Sequence, residues 1–300
     1  MQNKQKIDII GACCDLGVHV DGANLAPEIL EKIIDKKFYN KIYNVFQQEG
    51  IVKELDKDNK KKNLKPLNEF NTRLYNQVKQ VVDEGNFPFT IGGDHAIAMA
   101  SDLAVISKYE NLGIIWFDAH GDYHTFKTTM TGNIHGLPFA AVTGYEKTLI
   151  TDFHGDGPRY NPKNAVILGG RDIDLPDELN NLKDAGVTIF SSKDIREQGC
   201  EKVYAKAFEI ASNGTSGVHV SYDLDVIDPS IAPGVSIPAV DGINLDEAYA
   251  FAEYIVKKKD ILSSIDFVEY NPLRDKDQIT LNICKNILNI LFEGLNKEEY

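Results

Sequence analysis

Acidic and imidazole side chains follow several apolar runs of the sequence at short, regular spacing. Asp223 and Asp225 come at the end of the run at 218–222 and are two residues apart, so on a continuing strand both would point to one face. Two buried carboxylates side by side repel each other unless cations neutralise them, and the pair therefore suggests a metal site. Two aspartates that cap a loop turning at Asp228 and Pro229 would have the same spacing, so this pair alone leaves both interpretations open.

Two further apolar runs are followed by potential metal ligands, which brings the set to four carboxylates and two imidazoles. Its members are His95, Asp118, His120, Asp122, Asp223 and Asp225. Zinc usually takes fewer ligands and calcium avoids imidazole, so a mixed oxygen and nitrogen set of this size suits manganese or a related first-row ion. Two divalent ions would offset the four negative charges if some carboxylates bridge them. Ions of this kind lower the pKa of water from about 15.7 toward about 7, which would provide a nucleophile for hydrolysis near neutral pH.

The candidate ligands need strands to position them, and the apolar runs predict eight. They lie at 7–12, 41–45, 87–91, 112–117, 165–168, 187–190, 218–222 and 262–267. Helical spacing at 26–39, at 68–84 and from His95 to Tyr109 supplies segments long enough for crossovers. This alternation predicts an α/β protein with a doubly wound parallel sheet covered on both faces. In such sheets ligands bind beyond the carboxyl ends of the strands, where all the candidate ligands lie.

Composition limits the class of protein. The chain has 300 residues, 43% of them hydrophobic, and no shift in composition divides it, so we expect residues 1–300 to form a single domain. The net charge of −13 disfavours nucleic acid and favours a small cationic ligand. No apolar run approaches the roughly 18 residues that cross a bilayer, and the first residues lack the apolar segment of a signal peptide. We therefore expect a cytoplasmic protein without a membrane partner.

Other reactive or charged residues lack a context that suggests chemistry. The four cysteines show no CxxC spacing and are expected to be reduced and mostly buried, which argues against a thiol nucleophile and a zinc site. They are Cys13, Cys14, Cys200 and Cys284. The lysine-rich stretch at 53–65 has no aromatic interleaving and is interpreted as a solvated surface loop. His19, His154 and His219 stand outside any motif and are interpreted as structural.

Four motifs, taken in order, resemble the ureohydrolase family, which includes arginase, agmatinase and formimidoylglutamase. They are GGDH at 92–95, DAHGD at 118–122, GNIHG at 132–136 and SYDLDVIDP at 221–229. The resemblance extends over nearly the whole chain, and four spaced motifs are far more specific than one. It implies a three-layer α/β/α sandwich around an eight-stranded parallel sheet, a centre of two Mn²⁺ per subunit, and a homotrimer or homohexamer.

The resemblance also implies a role for each ligand. One ion would be held by His95, Asp118, Asp122 and Asp223, and the other by Asp118, His120, Asp223 and Asp225, with Asp118 and Asp223 bridging. Glu269 takes the position of a carboxylate that orients a guanidinium group, and His135 that of a histidine that shuttles a proton to the leaving amine. His135, Glu269 and the ligand Asp122 are therefore the candidate catalytic residues.

The substrate is expected to be an α-amino acid with a cationic guanidino group. By resemblance to arginases, its ammonium group would meet Asp172 or Asp174, and its carboxylate would meet Thr131 and Asn133, with His124 as a further candidate. His124 stands where arginases usually have asparagine, and residues 232–238 are more similar to formimidoylglutamases. We therefore expect hydrolysis of L-arginine to L-ornithine and urea, with formimidoylglutamate and then agmatine as alternative substrates. A non-catalytic metal-binding or interaction protein is the alternative from another class.

Overall fold

The strands form the centre of the molecule. The computed structural model describes residues 5–297 except residues 57, 110, 151 and 175. Within this part of the chain eight strands form one sheet. They are β1 Ile7–Cys13, β2 Lys41–Phe46, β3 Phe87–Gly92, β4 Gly113–Phe117, β5 Ala165–Gly169, β6 Thr188–Ser191, β7 Val218–Asp223 and β8 Leu262–Val268. The eight strands predicted from the apolar runs are thus confirmed, with ends that differ by at most one residue.

The order of the strands across the sheet is β2-β1-β3-β8-β7-β4-β5-β6, and neighbouring strands run parallel. The four central strands, β3, β8, β7 and β4, are far apart in sequence but adjacent in space. Because the strands are parallel, their carboxyl ends meet at one edge of the sheet. This is the edge at which open α/β sheets bind ligands.

Each strand contributes to two apolar cores because successive side chains point to opposite faces. In β4, Ile115 and Phe117 pack into one core, whereas Ile114 and Trp116 pack into the other. β5 divides in the same way between residues 166 and 168 on one side and residues 165 and 167 on the other. The continuous apolar runs of the sequence therefore reflect burial on both faces of a parallel sheet.

Helices cover both faces and complete a three-layer α/β/α sandwich. In the described residues the helices are α1 Ala26–Leu30, α2 Leu64–Asp83, α3 Ala98–Tyr109, α4 Pro138–Val142, α5 Asp177–Ala185, α6 Ser192–Gln198, α7 Cys200–Ser212, α8 Leu245–Lys257 and α9 Ile279–Asn296. The apolar sides of α1 and α6 to α9 pack on one face, and those of α2 to α5 pack on the other. None of these helices is long and apolar enough to span a bilayer.

Two sequence-based predictions about local structure are wrong. The helix predicted at 26–39 ends as α-helix at Leu30, because Ile34 and Asp35 take extended backbone angles between two short 3₁₀ turns. The stretch 53–65 is not simply a solvated loop. Helix α2 begins at Leu64, and two lysines of the stretch are withdrawn from solvent and bonded to neighbouring loops.

Candidate metal centre and active site

The predicted ligands converge at the carboxyl edge of the four central strands. His95 follows β3, and Asp118, His120 and Asp122 follow β4 at alternate positions. The last residue of β7 is Asp223, and Asp225 and Glu269 follow β7 and β8, respectively. Residues from distant parts of the sequence thus reach one site because the sheet places β8 and β7 between β3 and β4.

The first group of ligands surrounds one ring nitrogen of His95. Its Nδ1 lies 3.0 Å from Asp118 Oδ2, 3.3 Å from Asp122 Oδ2 and 3.0 Å from Asp223 Oδ2. Two ligand atoms that each lie about 2.1 Å from an ion, at right angles, are about 3.0 Å apart. The spacing of these four side chains is therefore that of ligands around one ion.

The second group surrounds Nδ1 of His120, which lies 3.1 Å from Asp225 Oδ2 and 3.4 Å from Asp118 Oδ1. Asp118 turns one oxygen toward each histidine and so joins the two groups. Asp223 contacts His95 with Oδ2, while its Oδ1 accepts a hydrogen bond of 2.8 Å from the backbone N–H of Asp225. The two groups thus form one centre with Asp118 between them.

Backbone N–H groups orient three of the carboxylates. Oδ1 of Asp118 accepts from His120 N at 2.7 Å, Oδ1 of Asp223 from Asp225 N at 2.8 Å, and Oδ1 of Asp225 from Ala119 N at 3.3 Å. In each case Oδ2 remains for the centre. Oδ2 of Asp118 is buried and has no hydrogen-bond donor among the described residues. A buried acceptor without a donor fits a position that a cation satisfies.

His95 is held in the orientation that a metal ligand needs. Its Nε2 lies 2.8 Å from the hydroxyl of Ser221, which leaves Nδ1 facing the carboxylates. Trp116 stacks on the imidazole with ring centroids 3.9 Å apart and planes 4° from parallel. Metal-binding histidines usually donate their second N–H to such a partner, which fixes the ring. Ser221 was not among the predicted site residues, although it lies two residues before Asp223 on the same face of β7.

Burial opposes every charged form in this centre. It raises the pKa of Asp122, Asp223 and Asp225, and neighbouring aspartate charges raise it further. Burial also acts against ionised Asp118, but the imidazoles of His120 and His95 beside it outweigh burial and hold the Asp118 pKa below its usual range. Four buried carboxylates exceed the charge that two imidazoles can balance. Divalent cations would supply the missing positive charge, so the donor set and its electrostatics fit a metal centre.

Glu269 and His135 lie beside the centre and contact each other. Nδ1 of His135 is 3.2 Å from Oε1 of Glu269, which also accepts a hydrogen bond of 2.8 Å from the backbone N–H of His95. The second carboxylate oxygen, Oε2, is buried and has no partner among the described residues. Glu269 and Asp122 both have positive φ angles, 68° and 49°. Such strained conformations cluster at functional sites because surrounding contacts must hold them.

The residues predicted for the amino-acid end of a substrate form contacts with one another. Nε2 of His124 lies 3.0 Å from Asp174 Oδ2, and its Nδ1 lies 3.2 Å from the hydroxyl of Thr128. Asp172 is largely exposed, and its Oδ2 is 3.7 Å from Nε2 of His120. Both ring nitrogens of His124 therefore already have partners, and Asp172 remains open to solvent.

The carboxylate end of the predicted subsite lies on the loop that contains Thr131 and Asn133. Thr131 is exposed, whereas Asn133 is buried and its Nδ2 lies 2.9 Å from Nδ1 of His19. His19, which the sequence analysis interpreted as structural, thus contacts a candidate substrate residue. No motif indicated this contact because 114 residues separate the two side chains.

Glu178 is a site residue that the sequence analysis missed. It is buried at the start of α5, where its two oxygens accept hydrogen bonds from Tyr123 N at 2.8 Å and Asp174 N at 3.0 Å. It thereby ties the loop after β4 to the loop after β5. A Cβ atom at Gly121 would lie 2.7 Å from its Oε1, so this close approach requires glycine.

Arg171 acts within the protein and not toward solvent. Its guanidinium donates to backbone carbonyls of Val226 at 3.0 Å, Asp225 at 2.8 Å, Ala239 at 2.9 Å and Val240 at 2.8 Å. These bonds fasten the loop after β7 to the end of β5. Arg171 therefore positions the backbone of the candidate ligand Asp225.

The remaining histidines and the cysteines lie apart from the centre. His219 is buried in β7, with Nδ1 2.6 Å from Ser264 Oγ and Nε2 3.1 Å from Asp102 Oδ1. His154 bonds the carbonyl of Pro158 at 2.8 Å. All four cysteines are free, three of them are buried, and burial raises the pKa of the Cys13 thiol to about 12. A high thiol pKa disfavours the nucleophilic thiolate.

Comparisons with known proteins agree with this architecture. The model of the arginase family matches residues 5–292. The arginase of Brevibacillus brevis is 33% identical over 293 residues, covering 96% of this chain and 98% of that protein. The arginase of Bacillus caldovelox is 37% identical over 235 residues, 78% of each chain. The crystal structure of native B. caldovelox arginase superimposes with a TM-score of 0.89 at 32% identity, covering 98% of this chain and 99% of the other. The chain therefore belongs to the arginase family of ureohydrolases, which are metal-dependent hydrolases of linear amidines.

Proposed function

We propose that the protein hydrolyses L-arginine to L-ornithine and urea with two Mn²⁺ bound per subunit. The observation that carries the proposal is the joining of two ligand groups by Asp118 beside a buried carboxylate, Glu269, that has one oxygen free. The ligands of the two ions would be those assigned from the family motifs, His95, Asp118, Asp122 and Asp223 for one and Asp118, His120, Asp223 and Asp225 for the other. The ions supply the Lewis acidity that makes water a nucleophile near neutral pH.

Glu269 would bind and orient the guanidinium group. Its buried carboxylate offers the unpartnered Oε2, while Oε1 is fixed by the backbone N–H of His95 and by His135. A guanidinium donates N–H groups in a rigid planar fork that matches carboxylate geometry. Because these bonds hold Oε1, the group cannot rotate freely, and the bound guanidinium would be presented to the centre in one orientation.

His135 would transfer a proton to the leaving amine. Its Nδ1 contacts Glu269, and none of the described residues forms a hydrogen bond with its Nε2. The imidazole is half-buried at the rim of the site, so Nε2 can reach both substrate and solvent. A histidine in this position can give a proton to the departing nitrogen and recover one from water.

The amino-acid end of the substrate would lie over the loops after β4 and β5. The carboxylates of Asp172 and Asp174, 61% and 51% exposed, would receive the ammonium group, and Thr131, Asn133 and the neighbouring His124 would face the carboxylate. The net charge of −13 would favour the approach of a guanidino cation.

Formimidoylglutamate is a second candidate substrate because of the loop at 232–238. In the structure this loop contacts the residues that directly follow Glu269. Val235 pairs with Tyr270, and Asn271 donates to the hydroxyl of Ser236 at 3.2 Å. A loop in this position can influence how the group bound by Glu269 is oriented, so its similarity to formimidoylglutamases bears on substrate choice.

The test is to load the purified protein with Mn²⁺ and to measure urea, ammonia and formamide from arginine, agmatine and formimidoylglutamate. We expect urea from arginine, little from agmatine, and two metal ions per chain by elemental analysis. Formamide without urea would identify the second candidate. Bound metal without any turnover would favour a non-catalytic protein. Light scattering would test the further expectation of a homotrimer or homohexamer, and cell fractionation would test a cytoplasmic location.

A further inference from the structure

The lysine-rich segment between β2 and α2 packs against loops that border the candidate site. Nζ of Lys53 donates to the carbonyl of Val20 at 2.8 Å. Lys60 donates to the carbonyl of Met130 at 2.8 Å, and Lys62 donates to the carbonyl of Thr131 at 2.6 Å. The backbone joins the same loop, because Lys62 N donates to Gly132 O at 3.3 Å. The ammonium groups of Lys60 and Lys62 are thus fixed on the loop that contains the candidate substrate residues Thr131 and Asn133.

Lys62 is more buried than Lys60 and, unlike Lys53, is not paired with a carboxylate of the described residues. Lys53 is paired with Asp15 at 3.1 Å and Asp21 at 3.0 Å, and Lys60 is half-buried. Lys62 is only 7% exposed, yet no carboxylate of the described residues lies within 4.0 Å of its ammonium group. Burying a charge without a counterion is costly, so such charges are normally paired. One N–H of the ammonium group binds Thr131 O, and two remain for an anion.

The neighbourhood of Lys62 is the place where the carboxylate of an amino acid is expected. Lys62 binds the backbone carbonyl of Thr131, and the next polar side chain along the loop, Asn133, contacts His19. Burial lowers the pKa of His19, and the positive charges of His135 and Lys62 lower it further. His19 therefore stays neutral beside Lys62.

His124 is a weaker candidate for the positive charge in this subsite. Its two ring nitrogens are bound to Asp174 and Thr128, so a substrate carboxylate would have to displace an existing partner. Lys62 has no carboxylate to displace. Lys62 has unused hydrogen-bond donors and His124 has none, so the lysine is favoured as the group that binds an incoming anion.

We propose that Lys62 binds the α-carboxylate of the substrate and thereby sets the preference for an amino acid over the corresponding amine. This inference rests on the proposed function, since it assigns a residue to the substrate that function names. An amino acid would neutralise the buried ammonium group, whereas agmatine would leave it without a counterion. Sites that lose a charged hydrogen-bond partner discriminate strongly against the ligand that lacks it.

The test uses the Mn²⁺-loaded enzyme and three variants, Lys62→Met, Lys62→Arg and Lys60→Met. Lys60→Met is the matched control, because Lys60 also donates to a carbonyl of the 130–131 loop but is not buried. We expect Lys62→Met to raise KM for arginine by about ten- to a hundredfold with little change in kcat. The inhibition constant of agmatine should stay within about threefold of the wild-type value. Lys62→Arg should restore much of the loss, and Lys60→Met should change neither constant.

Three results would overturn the assignment. Equal weakening of arginine and agmatine by Lys62→Met would show that Lys62 only anchors the Thr131 loop, and so would a matching effect of Lys60→Met. Unchanged metal content and melting temperature exclude a general loss of structure. If the wild-type enzyme releases no urea from arginine, the proposed function fails separately. Calorimetry with ornithine and putrescine then decides the role of Lys62, because equal affinity of the wild type for both would refute carboxylate binding.

Discussion

Replacement of Ser221 with alanine should weaken metal binding at the His95 group while sparing the His120 group. Ser221 Oγ lies 2.8 Å from Nε2 of His95, and the pair is buried in the sheet. When Nδ1 serves as a metal ligand, Nε2 carries the proton, and this N–H donates a hydrogen bond to the Ser221 hydroxyl. The variant leaves that N–H buried without an acceptor and releases the ring from one of its two constraints, the other being the stacked Trp116.

The expected size of the effect follows from the lost bond. A buried donor without a partner costs about 1–3 kcal/mol. Because about 1.4 kcal/mol corresponds to a factor of ten, metal affinity should fall roughly ten- to a hundredfold, the range typical for removal of an outer partner of a metal-binding histidine. His120 keeps its own contacts with Asp118 and Asp225 and does not contact Ser221, so the His120 group should lose little affinity.

The assay is a calorimetric titration of the metal-free protein with Mn²⁺, supported by activity as a function of Mn²⁺ concentration. The protein offers a matched control in Ser264, whose hydroxyl lies 2.6 Å from Nδ1 of the buried His219 on the same sheet. Ser264→Ala removes the same kind of bond and should lower stability without changing Mn²⁺ affinity. Equal loss of both metal ions in Ser221→Ala, or a similar loss in Ser264→Ala, would refute the role given to Ser221.

Three further predictions concern the centre and its surroundings. Asp118→Asn should abolish high-affinity binding of both ions, because Asp118 faces both histidines. Asp122→Asn should weaken the binding of only one ion, the one at the His95 group, and metal analysis by inductively coupled plasma after dialysis would distinguish the two variants. His135→Ala should lower kcat by roughly 10²–10⁴-fold with unchanged metal content, and metal loss would contradict a role in proton transfer. Burial raises the pKa of Asp102 to about 7, so the folded state holds a proton that the unfolded chain releases near pH 4. This group therefore lowers stability as pH rises from about 4 to 7. In urea unfolding, the free energy of unfolding of Asp102→Asn relative to wild type should be higher at pH 8 than at pH 5. An equal difference between the two proteins at both pH values would contradict the raised pKa of Asp102.

The fold could be predicted from the sequence because parallel strands buried on both faces leave continuous apolar runs. The same topology explains why the candidate ligands could be found: each follows the carboxyl end of a run, and a parallel sheet brings those ends together. The prediction of a helix at 26–39 was wrong for a physical reason. Its apolar spacing fits a helix, but extended angles at Ile34 and Asp35 break the chain into short turns. Tertiary packing overrode local pattern there.

The side chains that orient the candidate ligands could not be predicted, because their partners lie far away in the sequence. Ser221 and His95 are 126 residues apart, Glu178 and Tyr123 are 55 apart, and Lys62 and Thr131 are 69 apart. None of these pairs has a spacing that local pattern can detect. The lysine-rich stretch shows the consequence most clearly, since its composition is typical of a solvated loop while its contacts place an ammonium group in the interior.

On the proposed function, the distribution of charge would favour an α-amino acid over the corresponding amine. The inner end is an excess of buried carboxylate around Asp118 and Glu269, which favours metal ions and a guanidinium group. The outer end contains charges of both signs, with Asp172 and Asp174 on one loop and Lys62 behind another. Agmatine keeps the ammonium group, which can meet Asp172 or Asp174, but it lacks the carboxylate and would leave the buried Lys62 without a counterion. An α-amino acid carries an ammonium group and a carboxylate together, so it can satisfy both loops in a single bound orientation and fix the guanidinium group at Glu269.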